Sequence, residues 1–138
     1  MGPGPRLLTE AEAGDLAEIG FGGPVGVRDA GLLASAVHRP GARMYGVEAY
    51  PDTFGKAAAL LHALAVNHPL VDGNKRMAWL STAVFLHLNG EDMRDVDQDA
   101  AYDLVVGVAS GTVAEMPEIA VRLRELRAGA QGSGGDFV

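Results

Sequence analysis

The nine residues from His68 to Arg76 bring together side chains that could carry out group-transfer chemistry. They read His-Pro-Leu-Val-Asp-Gly-Asn-Lys-Arg. Histidine readily accepts and releases a proton near neutral pH, so His68 is the candidate general base. A single carboxylate beside phosphate groups is a common way to hold Mg²⁺, which keeps most of its waters. Asp72 is therefore the candidate metal ligand.

The second half of the same run has the residues of an anion-binding helix start. Apolar residues from Met77 to Leu88 predict a helix that begins near Asn74. The first amides of a helix lack partners within it and lie at the positive end of its dipole, where phosphate commonly binds. Gly73 lets the backbone approach an anion closely, and the Asn74 side chain can donate to it. Lys75 and Arg76 add two positive charges, so the run predicts phosphoryl or nucleotidyl transfer to a hydroxyl.

Helical spacing of apolar residues predicts six helices and no extensive sheet, an all-α bundle. Thr9 and Glu12 form a capping box for the first helix, Asp52 is placed to cap the third, and Asp97 or Asp99 is placed to cap the fifth. The fourth helix, from about Asn74, is apolar on nearly its whole circumference and is predicted to be the buried centre. Residues 42–51 suit a short extended flap better than a helix.

Composition bounds the class of protein. The chain has 138 residues, which fits one domain, predicted over residues 6–127 between a flexible start (1–5) and a flexible Gly-rich tail (128–138). The net charge of −7 argues against nucleic-acid binding as a primary role. The chain has no cysteine, which excludes disulfides and thiolate sites. The longest apolar stretch is too short to cross a membrane, so we expect a cytoplasmic protein.

The run resembles the signature of the Fic/Doc superfamily. That signature is His, any residue, usually Phe, any residue, Asp or Glu, Gly or Ala, Asn, Gly or Lys, then Arg. Leu70 stands where Phe is usual, and an apolar anchor is kept. Lys75 stands where nucleotidyl-transferring Fic proteins have a second Gly, and Trp79 where they have another Arg; both departures resemble the Doc ("death on curing") branch. The likeness extends roughly from Phe21 to Leu126.

The resemblance implies a Fic-like fold and a function. It implies a toxin that moves the γ-phosphate of ATP, with Mg²⁺, to a Thr or Ser of a protein such as elongation factor Tu, and so blocks translation. His68 would be the base and Asp72 the metal ligand. Gly73 and Asn74 would form the anion hole, and Lys75 and Arg76 would stabilise phosphate charge. The flap at residues 42–51 would align the acceptor peptide as an added strand.

The resemblance also implies control by a separate antitoxin of Phd type, because the Fic inhibitory motif does not occur in this chain. Two other functions stay open. A Fic-type transferase would attach AMP or another nucleotide to the protein hydroxyl, and Gly73 favours this because many Fic proteins have Gly where Doc proteins often have Ala. An inactive binding module would only sequester a partner, which the intact His68 and Asp72 disfavour.

Overall fold

A computed structural model describes the backbone of residues 4–135 and the side chains of residues 4–130. The order of elements within the described chain is six α-helices, with one short hairpin between the second and the third. The helices are α1 (Glu10–Phe21), α2 (Ala30–His38), α3 (Thr53–Asn67), α4 (Asn74–Leu88), α5 (Gln98–Ser110) and α6 (Met116–Gly135). A single 3-10 turn, Arg39–Gly41, follows α2. The predicted all-α class is confirmed.

Local capping residues begin three of these helices where the sequence predicts. Thr9 accepts from the Glu12 amide while the Glu12 carboxylate accepts from the Thr9 amide, which is the predicted capping box. Asp52 accepts from the Gly55 amide at 2.7 Å and starts α3. Of the two candidate caps for α5, Asp97 is the one that forms the bond, and α5 begins at Gln98.

The centre of the bundle is α3, whereas the sequence places α4 there. Nine consecutive or near-consecutive residues of α3 are buried, and α3 packs against α2, α4, α5 and α6. Five of the nine are alanines: Ala57, Ala58, Ala59, Ala63 and Ala65. Small side chains let neighbouring helices approach α3 from several sides. On α4, by contrast, Trp79 and Val84 are only half-buried and Leu88 is exposed.

The predicted flap is a hairpin of two short antiparallel strands, β1 (Arg43–Met44) and β2 (Val47–Glu48). Tyr45 and Gly46 form its two-residue turn, both with positive φ, at 53° and 78°. This is the type I′ geometry that suits the twist of paired strands. Tyr45 is 99% exposed, so the tip of the flap projects from the bundle.

The described residues bear on the predicted chain ends only in part. Helix α6 continues to Gly135, beyond residue 127 where the predicted domain ends. Residues 1–3 and 136–138, which belong to the predicted flexible ends, lie outside the described residues. Within the described chain, none of the helices has the length and apolar character needed to span a membrane.

Candidate active site

The predicted run lies at the junction of α3, the central helix of the bundle, and α4. His68 ends α3 and adopts the left-handed conformation, with φ 50° and ψ 61°. Gly73 precedes the first residue of α4 and is also left-handed, with φ 80°, a conformation that glycine adopts without steric cost. Only four residues, 69–72, separate them, so the base and the helix start are held close together along the chain.

The loop pairs with the segment 26–29, which leads into α2. An isolated antiparallel bridge joins Val27 to Leu70. The Arg28 amide donates to the carbonyl of Pro69 at 2.7 Å. The Leu70 side chain is 1% exposed, as expected for the apolar anchor of the loop. Main-chain pairing on one side and a buried side chain on the other therefore restrain the loop.

Asn74 closes the loop from the α4 side. Its Oδ1 accepts from the Leu70 amide at 2.9 Å, and its Nδ2 donates to the Leu70 carbonyl at 3.0 Å. The sequence predicts that the Asn74 side chain donates to a phosphate. Leu70 takes one N–H of Nδ2, and because a side-chain amide has a second N–H, that role stays a prediction. The main-chain amide of Asn74, at the start of α4, is a further donor for an anion.

Asp72 and the two cations surround the start of α4. Asp72 Oδ1 accepts from the Gly73 amide at 2.7 Å, and its side chain is exposed. Lys75 and Arg76 are also exposed. Arg76 Nη1 donates to the carbonyl of Gly20 at 2.7 Å, near the negative end of the α1 dipole. Because a guanidinium has five N–H donors, this bond leaves others for a ligand.

All six predicted site residues line one cleft of about 530 Å³. The imidazole, the carboxylate, the helix start and both cations thus face the same space. The full lining of the cleft is Phe21, His68, Val71, Asp72, Gly73, Asn74, Lys75, Arg76, Trp79, Gln98, Ala101, Tyr102 and Val105. Three negatively charged phosphates in this space would meet two cations and the positive end of a helix.

The opposite walls of the cleft come from residues that sequence analysis did not assign to the site. Phe21 lies against Gly73 from the end of α1, and Gln98 and Tyr102 approach from α5. Trp79, predicted to be a core residue, is half-buried and lines the cleft. No local motif marks Phe21, Gln98 or Tyr102, since they join the site only through the packing of distant helices.

The donor set suits a Mg²⁺ ion held jointly with a nucleotide. No group of three or more His, Cys, Asp or Glu side chains able to hold a metal occurs among the described residues. Asp72 is a single exposed carboxylate beside an anion-binding helix start. Mg²⁺ commonly takes one or two carboxylates and completes its shell with substrate phosphates and water. The site therefore fits a metal that arrives with a polyphosphate.

Comparisons with known proteins show the family of this chain. Residues 7–86 match the family model described as "Fic/DOC family". The chain is 52% identical to "Toxin Doc" of Mycolicibacterium smegmatis over 114 residues, which cover 82% of this chain and 87% of that protein. It is 35% identical to "Protein kinase doc" of Escherichia phage P1 over 111 residues, which cover 80% and 85%. The chain therefore belongs to the Fic/DOC family, and its resemblance to the Doc branch is confirmed.

Proposed function

We propose that this protein is a Doc-like toxin kinase, which transfers the γ-phosphate of ATP to a Thr or Ser hydroxyl of a cytoplasmic protein such as elongation factor Tu and so blocks translation. The proposal rests on one observation: a single cleft is lined by His68, by the first residues of α4 with their unpaired amides, and by Asp72, Lys75 and Arg76. The names of the two relatives, one a toxin and the other a protein kinase, support it.

The site residues divide the work of phosphoryl transfer among them. Neutral His68 accepts the proton of the acceptor hydroxyl as its oxygen attacks the γ-phosphorus. The bond between the γ-phosphorus and the bridging oxygen breaks, and ADP leaves with the electron pair. Lys75, Arg76 and the first amides of α4 stabilise the charge on the transferring and leaving phosphates. The products are a phosphorylated hydroxyl and ADP, with one proton on His68.

Asp72 would hold Mg²⁺ together with the nucleotide phosphates. Bound there, the metal neutralises phosphate charge and fixes the triphosphate in the cleft. The bond from the Gly73 amide to Asp72 Oδ1 orients the carboxylate in the absence of a ligand. Because that bond engages one carboxylate oxygen, the other remains available to coordinate a cation.

The flap is the proposed docking strand for the acceptor peptide. Each of its two strands pairs only with the other among the described residues, so each has an outer edge with main-chain groups that an extended peptide could pair with. Met44 and Val47 are 66% and 68% exposed, and they offer apolar contacts beside that edge.

A Phd-type antitoxin is the proposed regulator. Three exposed apolar side chains lie beside the loop between α3 and α4: Phe21, Val27 and Val71. Phe21 and Val71 also line the cleft. Exposed apolar groups beside a functional cleft are typical of a partner interface. An antitoxin encoded beside this protein should co-purify with it, and replacing Val71 by Asp should abolish the complex. A complex that survives the replacement would contradict this interface.

The position of the label decides between the two possible transfers. Elongation factor Tu is incubated with this protein and ATP that carries a label on either the γ- or the α-phosphate. Label from the γ-phosphate, with a mass increase of one phosphate, is the expected result. Label from the α-phosphate would establish the Fic-type nucleotidyl transfer, which Gly73 favours. No transfer from any nucleotide, together with harmless expression in bacteria, would establish the binding module instead.

Replacing the base tests its role within that reaction. We expect His68→Ala to lower turnover by roughly 10²- to 10⁴-fold, the usual effect of losing a positioned acid–base group. His87→Ala is the matched control, because His87 is an exposed histidine on α4 that lies outside the cleft. Turnover of His68→Ala near that of the control would remove His68 from the mechanism.

A further inference from the structure

His68 has a backbone conformation that a residue with a side chain rarely adopts. Among the described non-glycine residues only Tyr45 and His68 have a positive φ, and Tyr45 lies in the flap turn. The left-handed conformation brings Cβ close to the carbonyl oxygen, so it persists only where other contacts enforce it. Since the direction of the imidazole follows from this conformation, whatever enforces it also aims His68.

The Arg28 side chain makes the contacts that enforce it. Its Nε donates to the carbonyl of His68 at 2.8 Å, and its Nη2 donates to the carbonyl of Asn67 at 2.7 Å. These carbonyls belong to the last turn of α3, where helix carbonyls lack intrahelical partners and the dipole is negative. Hydrogen bonds from a charged donor are among the stronger ones in proteins. One guanidinium therefore holds both sides of the turn that leads out of the helix.

We propose that Arg28 is a positioning residue for His68, acting through the backbone rather than by contact with substrate. Arg28 does not line the cleft, and its guanidinium faces the main chain of α3. The two carbonyls require two diverging donors on one rigid plane, which arginine provides and lysine does not. The structural role is separate from catalysis, but the effect of Arg28 on turnover rests on the proposed function of His68.

The main-chain contacts of residue 28 do not depend on its side chain, which makes a substitution interpretable. The Arg28 amide donates to the Pro69 carbonyl, and the Asp29 amide donates to the same oxygen at 3.0 Å. Arg28→Met keeps these bonds and removes only the guanidinium. Arg28→Lys keeps the charge with one donor group and provides a second variant if the first folds poorly. Arg94→Met is the matched control, because Arg94 is exposed and pairs with Asp92.

The experiment reads the imidazole directly and the reaction separately. The Cε1–Hε1 NMR signals of the four histidines are recorded for each variant, with His68 assigned from His68→Ala. In Arg28→Met we expect the His68 signal to shift or broaden while the signals of His38 and His87 stay in place. The kcat of transfer should fall by about 10- to 100-fold, as for a catalytic group displaced by an ångström, with the KM for ATP within about twofold. Arg28→Lys should lie between Arg28→Met and the wild type.

All measurements are made below the melting temperature of each variant. The proposal is overturned if Arg28→Met leaves the His68 signal unchanged and has the same kcat as Arg94→Met. Arg28 would then be a helix cap alone. A fall in kcat matched by an equal rise in the KM for ATP would also overturn it, because that pattern indicates a weakened cleft. If the wild-type protein transfers nothing, the proposed function fails, while the NMR signal still decides whether Arg28 holds His68.

Discussion

At the scale of single residues, Asn74 shows how the loop of the site is stabilised. Its side chain satisfies both the amide and the carbonyl of Leu70, whose side chain is buried beneath the loop. The sequence predicts Asn74 as a site residue from its position in the run, and in the structure Asn74 lines the cleft. The partner of its side chain could not be predicted, because it depends on how sharply the loop turns back over α4.

Replacing Asn74 by Ala should loosen this loop. The change leaves a buried amide and a buried carbonyl without their partner, and we expect the free energy of unfolding to fall by about 1–3 kcal/mol in urea denaturation. Asn74→Asp keeps the acceptor for the Leu70 amide but loses the donor, so its stability should be intermediate. Wild-type stability in Asn74→Ala would show that these two hydrogen bonds do not hold the loop.

At the scale of elements, the flap is attached to the bundle by an ion pair between a buried lysine and a partly exposed glutamate. Lys56 of α3 is 3% exposed, and its Nζ lies 3.0 Å from Glu48 Oε1 on β2. The same ammonium donates to the carbonyl of Tyr50. The hydrogen bond and the charge of Lys56 lower the pKa of Glu48 from its usual value near 4.5. Lys56 therefore links the proposed docking strand to the helix that carries His68.

Lys56→Met should release the flap. Glu48 and the Tyr50 carbonyl lose their partner, so the hairpin opens more often, and the peptide bond after the exposed Arg43 then fits into the active site of trypsin more often. We expect severalfold faster cleavage after Arg43 in limited proteolysis, and a rate near wild type in Lys56→Arg, which keeps the charge. Equal rates in the two variants would show that the ion pair does not hold the flap.

The pH dependence of the same attachment follows from the sign of the shift. Because the folded-state pKa of Glu48 is depressed, its contribution to stability is present above the unfolded value near 4.5 and is lost as the pH falls through the folded value. Trypsin is poorly suited to that range, so pepsin digestion at low pH would monitor the wild-type flap.

The flap also shows what local sequence does and does not reveal. The caps Thr9, Asp52 and Asp97 follow from residue types a few positions apart, and the structure confirms each. The strands were not foreseen as such, because the turn has Tyr45 where Asn or Asp usually precedes glycine in a type I′ turn. The contact of Arg28 with His68 joins residues 40 positions apart, and no spacing rule indicates it.

At the scale of the whole molecule, the class of fold was predictable while the identity of its central helix was not. The apolar residues of α4 suggested the centre, but α3 occupies it because alanine side chains let several helices approach at once. A strongly apolar helix can still have one face that lines a cleft. On α4, Trp79 lies on that face. The site therefore lies at the edge, or rim, of the core, where His68 follows the last residue of the buried helix α3.

Stability and activity should therefore separate when the core is altered far from the rim. Leu123 of α6 is 0% exposed, and α6 packs against α3 without contributing to the cleft. We expect Leu123→Ala to lower the free energy of unfolding by about 2–5 kcal/mol, the usual cost of a large cavity in a core. Urea denaturation measures this loss, and kcat of the folded protein at low temperature should stay within about twofold of wild type, since α6 does not line the cleft. If kcat falls along with the free energy of unfolding, the packing of α6 also helps to position the site residues.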